Sequence, residues 1–229
     1  LSFDLQRQFA GNAAHELRTP LAMMQTKLEL FTEEHSDVDA ETSKLVQFQI
    51  DQVDRLTSLV RTLLEMSNLQ SVSRSDEIEL APLIDEILTD LTTLAEQKNI
   101  TLHQNCEDVH MIGSDTLIYR LLFNLIENAI KYNHSGGGVT VSMQQENQQV
   151  LLHIADTGCG IPEKYRESIF QPFFRVDKSR SRQMGGVGLG LALVREIAVL
   201  HGGSVYVESG SKDGTTFAVK LPLNGEKTE

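Results

Sequence analysis

The stretch "AAHELRTPLAM" (13–23) sets a histidine and a glutamate side by side about one turn before a proline. Histidine is the side chain that is mostly neutral, and so nucleophilic, near pH 7, with a reference pKa of about 6.5. The adjacent carboxylate of Glu16 can orient the ring or take up its proton. Apolar residues recur at Ala10, Ala14, Leu17, Leu21, Met24, Leu28 and Phe31, in alternating steps of four and three, which is a heptad seam. With Ala14 at a and Leu17 at d, His15 falls at b and Glu16 at c, on the solvent side. Pro20 sits inside this helix. An interior proline costs ~3 kcal/mol and frees the carbonyl four residues earlier, that of Glu16. Helices kink at such sites. An ordinary solvated polar face is the competing reading, but a weak point beside an exposed His–Glu pair suggests that stability is traded for shape.

A second set lies near residue 125. Arg120, Asn124, Glu127, Asn128 and Lys131 share one arc of about 100° on a helix, at roughly 100° per residue. Leu121, Leu122, Leu125, Ile126 and Ala129 occupy another. Asparagine is a mediocre helix former, so two of them four residues apart point to a task beyond helix formation. Asn carbonyls and phosphate oxygens suit Mg²⁺, a hard cation, and Lys131 can meet phosphate as a point charge. "DTGCGIP" (156–162) follows a strand. Gly158 and Gly160 allow a tight turn and close approach of a ligand. Asp156, at the strand end, can accept a hydrogen bond from an exocyclic amine; read alone, the motif would be an ordinary Asp-Gly turn.

"GGVGLGLAL" (185–193) is neither a dinucleotide fingerprint nor a Lys-Ser/Thr phosphate loop. Leu191 stands where the first needs its last glycine, and no Lys-Ser/Thr pair follows a glycine. It does open flexible backbone, through Gly186, Gly188, Leu189 and Gly190, directly into a helix whose free N–H groups suit phosphates. Arg175, Lys178, Arg180 and Arg182 precede it, a basic cluster in an acidic chain. Glycines and charges together predict a mobile lid, with Phe170, Phe173 and Phe174 as anchors.

These residues need elements to hold them. "EEHSDVDAE" breaks the first helix, and Asp37 or Asp39 can cap a second. Val46, Val53 and Val60 repeat by seven in that second helix, interleaved with Gln49, Leu56 and Leu63. The two helices make an antiparallel hairpin with an apolar face, which two copies would bury as a four-helix bundle. "QSVSRSDE" (70–77) is a polar linker. Beyond it, "IEL", "ITLHQN", "VHMIG", "SVYVES" and "TTFAVKLPL" read as strands, with a hairpin turning at Glu146-Asn147. Helices follow at "APLIDEILTDLTTLAEQKN", with Pro82 near its start, at "SDTLIYRLLFNLIENAIKYN", with Ser114 as N-cap, and at "GLALVREIAVLHG", closed by Gly202. The class is α+β, with a mixed, largely antiparallel sheet and helices on one face. The expected boundaries are a helical hairpin over 1–70, a linker over 71–76 and an α/β domain over 77–229.

The chain has 229 residues, 40% of them apolar, and a net charge of −12. That suits one or two globular domains and disfavours nucleic acid as a partner. Cys106 and Cys159 form no metal-ligand spacing, which favours a reduced, cytoplasmic setting. No apolar run approaches the ~20 residues of a membrane span. The opening at Leu1, already helical in pattern, fits a piece of a longer protein, so any membrane attachment is expected through N-terminal regions absent from this chain.

"FAGNAAHELRTPL" resembles the phosphoacceptor box of sensor histidine kinases of two-component systems. "NLIENAIKY", "DTGCGIP", "FQPFFRVD" and "GGVGLGLAL" resemble further boxes of that family, in its order. The resemblance covers essentially the whole chain. It implies a dimeric phosphoacceptor hairpin followed by an α/β sandwich ATPase domain. It also implies ATP-dependent autophosphorylation of His15 with Glu16 as base, and transfer to an aspartate of a response regulator's receiver domain. Asn128 would bind Mg²⁺, and Asn124, Lys131 and Tyr132 would line the phosphate side. Asp156 would read the adenine amino group, with Thr216 against Asp156 or a nearby water. Lys131, Arg175 and the lid would offset charge in transit. Glu16 and Thr19 fit the family's Glu-x-x-Thr pattern, which implies phosphatase activity on the regulator.

Two rivals share parts of this pattern. A hydrolytic ATPase of the same nucleotide fold places a glutamate base one turn before the metal-binding asparagine; here Asn124 stands there. A non-catalytic dimeric scaffold would bind nucleotide for regulation only. The chain departs from the family at Ala14, where serine is frequent, and at Val187, where Thr or Ser is common; the second departure weakens the assignment of lid contacts.

Overall fold

The computed structural model describes residues 3–35, 37–176, 187–211 and 213–224; the side chains of 3–15 and 211 lie outside that description. The chain forms two compact units: one holds the helices within residues 1–70 and is grouped with the segment that ends at Leu189, and the other, α/β, begins at Ser71 and resumes at Gly190.

The helical unit is a hairpin of α1 (Phe3–Glu34) and α2 (Ala40–Asn68). Helix α1 runs through Pro20 without interruption. Asp39, one of the two candidate caps, starts α2. Its Oδ1 accepts from the N–H groups of Glu41 (2.9 Å) and Thr42 (3.0 Å), and its Oδ2 from the Thr42 hydroxyl (2.7 Å). Those donors satisfy the helix's first free N–H groups and hold the Asp39 carboxyl below its usual range, the Thr42 hydroxyl contributing most. Leu21, Val53, Val60 and Leu64 form the buried core, with Leu28 and Leu63 packed on it. Along the apolar seam Leu21, Val53 and Val60 are covered within the hairpin, whereas Leu17, Met24 and Leu56 stay 50%, 54% and 48% exposed.

In the second unit the order is β1 (Asp76–Glu79), α3 (Leu80–Gln97), β2 (Thr101–Cys106), β3 (His110–Gly113), α4 (Asp115–Lys131), β4 (Gly138–Glu146), β5 (Gln149–Asp156), α5 (Gly190–Leu200), β6 (Ser204–Ser211) and β7 (Gly214–Pro222). Five strands form one sheet in the order β2-β4-β5-β7-β6, and β1 pairs with β3 in a separate two-stranded ribbon. Only β2–β4 is parallel, so the sheet is mixed and largely antiparallel, as the strand patterns predict. Val139, Val141, Val150, Leu152, Ile154, Phe217, Val219 and Leu221 alternate along their strands and are buried, with the apolar rows of α3, α4 and α5 completing the core. On the opposite face, long side chains lie over the sheet. His153 Nε2 meets Glu208 Oε2 at 3.3 Å, and the Lys220 ammonium sits 5.6 Å from the Tyr206 ring centroid. Ala218, paired with both His153 and Tyr206, is fully buried.

Three local expectations shift. The β4–β5 turn is centred on Asn147-Gln148, one residue later than predicted, because Glu146 pairs with Gln149 and Asn147 takes the left-handed conformation (φ 56°) that asparagine tolerates. The strand read as "IEL" starts two residues earlier, and Leu80 opens α3 instead. Ser114 holds the N-cap position of α4, but its side chain makes no cap bond. Its backbone N–H donates to Nε2 of buried His201 (3.1 Å), and the His201 Nδ1–H bonds the Ile197 carbonyl (2.8 Å). That pair of bonds requires the neutral ring protonated on Nδ1.

Candidate functional site

Helix α4 carries the asparagine stripe. Leu117, Ile118, Leu121, Leu122, Leu125, Ile126, Ala129 and Ile130 are buried, leaving Arg120, Asn124, Glu127, Asn128 and Lys131 half-buried on the other side. Asn124 Nδ2 donates to the Arg120 carbonyl (2.7 Å), which turns its Oδ1 outward from that bond. A Cβ added to Gly190 would lie 2.7 Å from that Oδ1, so the start of α5 and the middle of α4 meet at the stripe. Lys131 Nζ pairs with Glu127 Oε1 at 2.8 Å. The Lys98 ammonium donates to the Lys131 carbonyl at 2.6 Å, placing a cation at the negative end of α4. Tyr132 is the C-cap.

Asp156 ends β5. Its Oδ1 accepts from the N–H groups of Gly158 (2.8 Å) and Thr215 (3.3 Å). Among the described residues no bond reaches Oδ2, so this oxygen can accept from a ligand. Burial removes water from the carboxyl and raises its pKa. The bonds from Gly158 and Thr215 and the nearby His134 oppose that rise. Gly158 is glycine for a steric reason: a Cβ there would sit 2.5 Å from the Tyr132 carbonyl oxygen and 2.8 Å from Asp156 Oδ1. Cys159 N–H donates to the same Tyr132 carbonyl at 3.2 Å. The turn of 156–160, with Gly160 at φ 68°, therefore rests directly on the C-terminal end of α4.

The structure brings Asn124, Asn128, Lys131, Tyr132, Asp156, Gly158, Gly160 and Gly190 into one unit, on α4, the turn it supports and the start of α5. One expectation moves by a residue. The strand register sets Thr215 opposite Asp156 and Thr216 opposite Ala155, so the backbone bond to Asp156 comes from Thr215. Gly188 (φ 80°) and buried Leu189 precede α5. Gly186, Lys178, Arg180 and Arg182, and with them most of the expected lid, lie outside the described residues. Arg175 is half-buried. Phe170 packs edge-on against Phe217 (6.2 Å) and Phe174 against Tyr165 (5.7 Å), whereas Phe173 is exposed at φ 65°. In the helical unit, Glu16 and Thr19 are exposed on α1; the side chain of His15, on the same helix, lies outside the described residues.

Sequence reading missed Asn133 and Thr157. Asn133 is buried, and its side chain ties the end of α4 to the Asp156 turn. The run Gly136-Gly137-Gly138 was the available cue, since a loop into a strand does not by itself need three glycines.

Among the described residues, no group of three or more His, Cys, Asp or Glu side chains could cage a metal. A cation here would have to share its ligands with phosphate oxygens. The neutral amide of Asn128, on the open face of α4, fits that donor set. No described helix is long and apolar enough to cross a membrane.

Comparison with known proteins finds two family models along the chain. Residues 5–72 match the family model of the His Kinase A (phospho-acceptor) domain. Residues 113–225 match that of the histidine kinase-, DNA gyrase B- and HSP90-like ATPases. A phosphoacceptor hairpin joined to an ATPase sandwich defines the histidine kinase class. The chain belongs to the sensor histidine kinases of two-component systems. It is 36% identical to the sensor histidine kinase RppB of Synechocystis over 97% of this chain and 50% of RppB. It is 33% identical to WalK of Bacillus subtilis over 98% of this chain and 38% of WalK. The chain thus spans half or less of these relatives. The crystal structure of histidine kinase ThkA in complex with the response regulator TrrA matches with TM-score 0.68 and 25% identity, over 96% of this chain and 62% of that one.

Proposed function

We propose that the chain binds ATP in the α/β unit and phosphorylates His15, and that the phosphoryl group then passes to an aspartate of a response regulator. The observation that carries this reading is Asp156. Its Oδ1 is fixed by two backbone donors, while its Oδ2 accepts from none of the described residues, an arrangement suited to reading an adenine amino group. Asn124, Lys131 and Tyr132 line the phosphate side, with Gly188, Leu189 and Gly190 at the entrance to α5. Asn128 would hold Mg²⁺, which would supply positive charge to the phosphate oxygens. The lone pair of a His15 ring nitrogen forms the new P–N bond to the γ-phosphorus. The bond from that phosphorus to the β–γ bridging oxygen breaks, and ADP leaves with its electrons. Glu16 takes the displaced ring proton. Lys131 and Arg175 offset the charge in transit.

A homodimer through the hairpin is part of this reading. Its support is the open row of Leu17, Met24 and Leu56. The receiver docks on the same hairpin near His15. Glu16 and Thr19, both exposed and three residues apart, support a second activity: a water held by Thr19 hydrolyses the regulator's phosphoaspartate. Membrane attachment, where the parent protein has it, comes through segments outside this chain.

Incubation with γ-labelled ATP tests the kinase reading. The expected product is acid-labile, alkali-stable label on the chain, lost in His15→Gln. Free phosphate alone would point to a hydrolytic ATPase, and no turnover to a regulatory nucleotide-binding scaffold. Thr19→Ala is expected to keep autophosphorylation and lose phosphatase activity; the reverse outcome contradicts the role given to Thr19.

A further inference from the structure

Asn133 directly follows the C-cap of α4 and is buried, yet it belongs to none of the residues assigned to nucleotide. Its side chain uses both ends. Oδ1 accepts from the Thr157 hydroxyl (3.1 Å) and the His134 N–H (2.9 Å), and Nδ2 donates to the Gly138 carbonyl (3.0 Å). Thr157 completes the circuit, because its Oγ1 lies 2.9 Å from the Gly138 nitrogen and accepts that N–H, while its own N–H bonds the Gly138 carbonyl at 3.1 Å. Three segments thus close on one buried amide: the end of α4, the start of β4 and the turn bearing Asp156. Gly137 leaves the space for it, since a Cβ there would lie 2.3 Å from Asn133 Oδ1 and 2.6 Å from Thr157 Oγ1.

Thr157 is the immediate neighbour of Asp156, and Asn133 is two residues from Lys131. The circuit therefore fixes the distance between the carboxylate given to the base and the helix given to the phosphates. We propose that Asn133, acting through Thr157, is a positioning residue that sets the Asp156 carboxylate at the depth an adenine amine requires. The inference rests on the nucleotide reading above. A buried amide with donor and acceptor both used has few equivalent replacements; removing it takes one donor from the Gly138 carbonyl, which keeps the Thr157 N–H, and leaves the Thr157 hydroxyl only a long contact of 3.5 Å to that carbonyl as acceptor.

The test compares ATP and ADP binding by titration calorimetry for the wild-type chain, Asn133→Ala, Thr157→Val, Thr157→Ser and Gly137→Ala, at a temperature where circular dichroism shows each folded. A displaced base reader weakens both nucleotides by the same factor, on the order of tenfold. A disturbed phosphate side would weaken ATP more than ADP. Thr157→Ser keeps the hydroxyl and is expected to bind as wild type does. Gly137→Ala should reproduce Asn133→Ala while keeping both polar side chains. Wild-type affinity in folded Asn133→Ala and Thr157→Val overturns the proposal, as does Thr157→Ser failing like Thr157→Val. A wild-type chain that binds neither nucleotide overturns the site reading itself, and this inference with it.

Discussion

At the scale of single residues, Asp156 carries an acceptor and a stability cost in one side chain. Its carboxyl pKa is raised above 3.8 by burial, so the fold favours the protonated form. The stabilising contribution is present below pH 3.8 and is lost as pH rises through the folded value. At neutral pH the ionised group therefore weighs against folding. An asparagine in its place would keep an oxygen for the Gly158 and Thr215 donors without a charge. Asp156→Asn is thus expected to melt at the same temperature or higher at pH 7, while losing at least about tenfold in ATP affinity, because an amide NH₂ facing the adenine amine presents a donor to a donor. Melting curves and nucleotide titration on the same sample check both halves. Lower stability together with unchanged affinity would remove Asp156 from the site.

At the scale of elements, the junction between α4 and α5 is held by His201. Burial lowers its pKa below 6.5, partly opposed by the Ile197 bond and reinforced by nearby Arg74. The neutral ring is the one that accepts from Ser114. The stability this provides is fully present above pH 6.5 and is lost as pH falls through the lower folded value. His201→Ala is expected to cost about 1–3 kcal/mol by stranding the buried Ser114 N–H. His201→Gln, with an acceptor that does not titrate, should flatten the decline in melting temperature between pH 7 and pH 5. Equal declines in wild type and His201→Gln would count against the junction. This bond also shows where sequence reading stops. Ser114 announces a helix start by its type, but its actual partner is 87 positions away. The strands and helices were legible because their apolar periods match the burial pattern. The turn after β5 was legible because an Asp-Gly motif closes an apolar strand pattern, and the turn stands there. Asn133 and Thr157 were not, because burial of a polar loop residue is decided by what folds against it: Asn133 bonds Gly138 five positions on and Thr157 twenty-four positions on.

At the scale of the whole molecule, the two units have different unfinished surfaces. On the outer face of its sheet the α/β unit sets the His153–Glu208 pair and Lys220 beside Tyr206, around the fully buried Ala218. The hairpin leaves large apolar side chains exposed, Leu17, Met24 and Leu56 along the seam and Met23 and Phe48, at 59% and 56%, on other faces of their helices. Met24→Asp with Leu56→Asp is expected to convert a dimer into a monomer in light scattering. A dimer unchanged by both substitutions would place the contact elsewhere. The uneven cover of the seam has a further consequence. Burying Leu21, Val53 and Val60 is an event within one chain and ignores concentration, whereas covering Leu17, Met24 and Leu56 would, in the dimer proposed above, be a collision between two. Dilution should therefore lower the melting midpoint of the helical unit while leaving that of the ATPase unit in place.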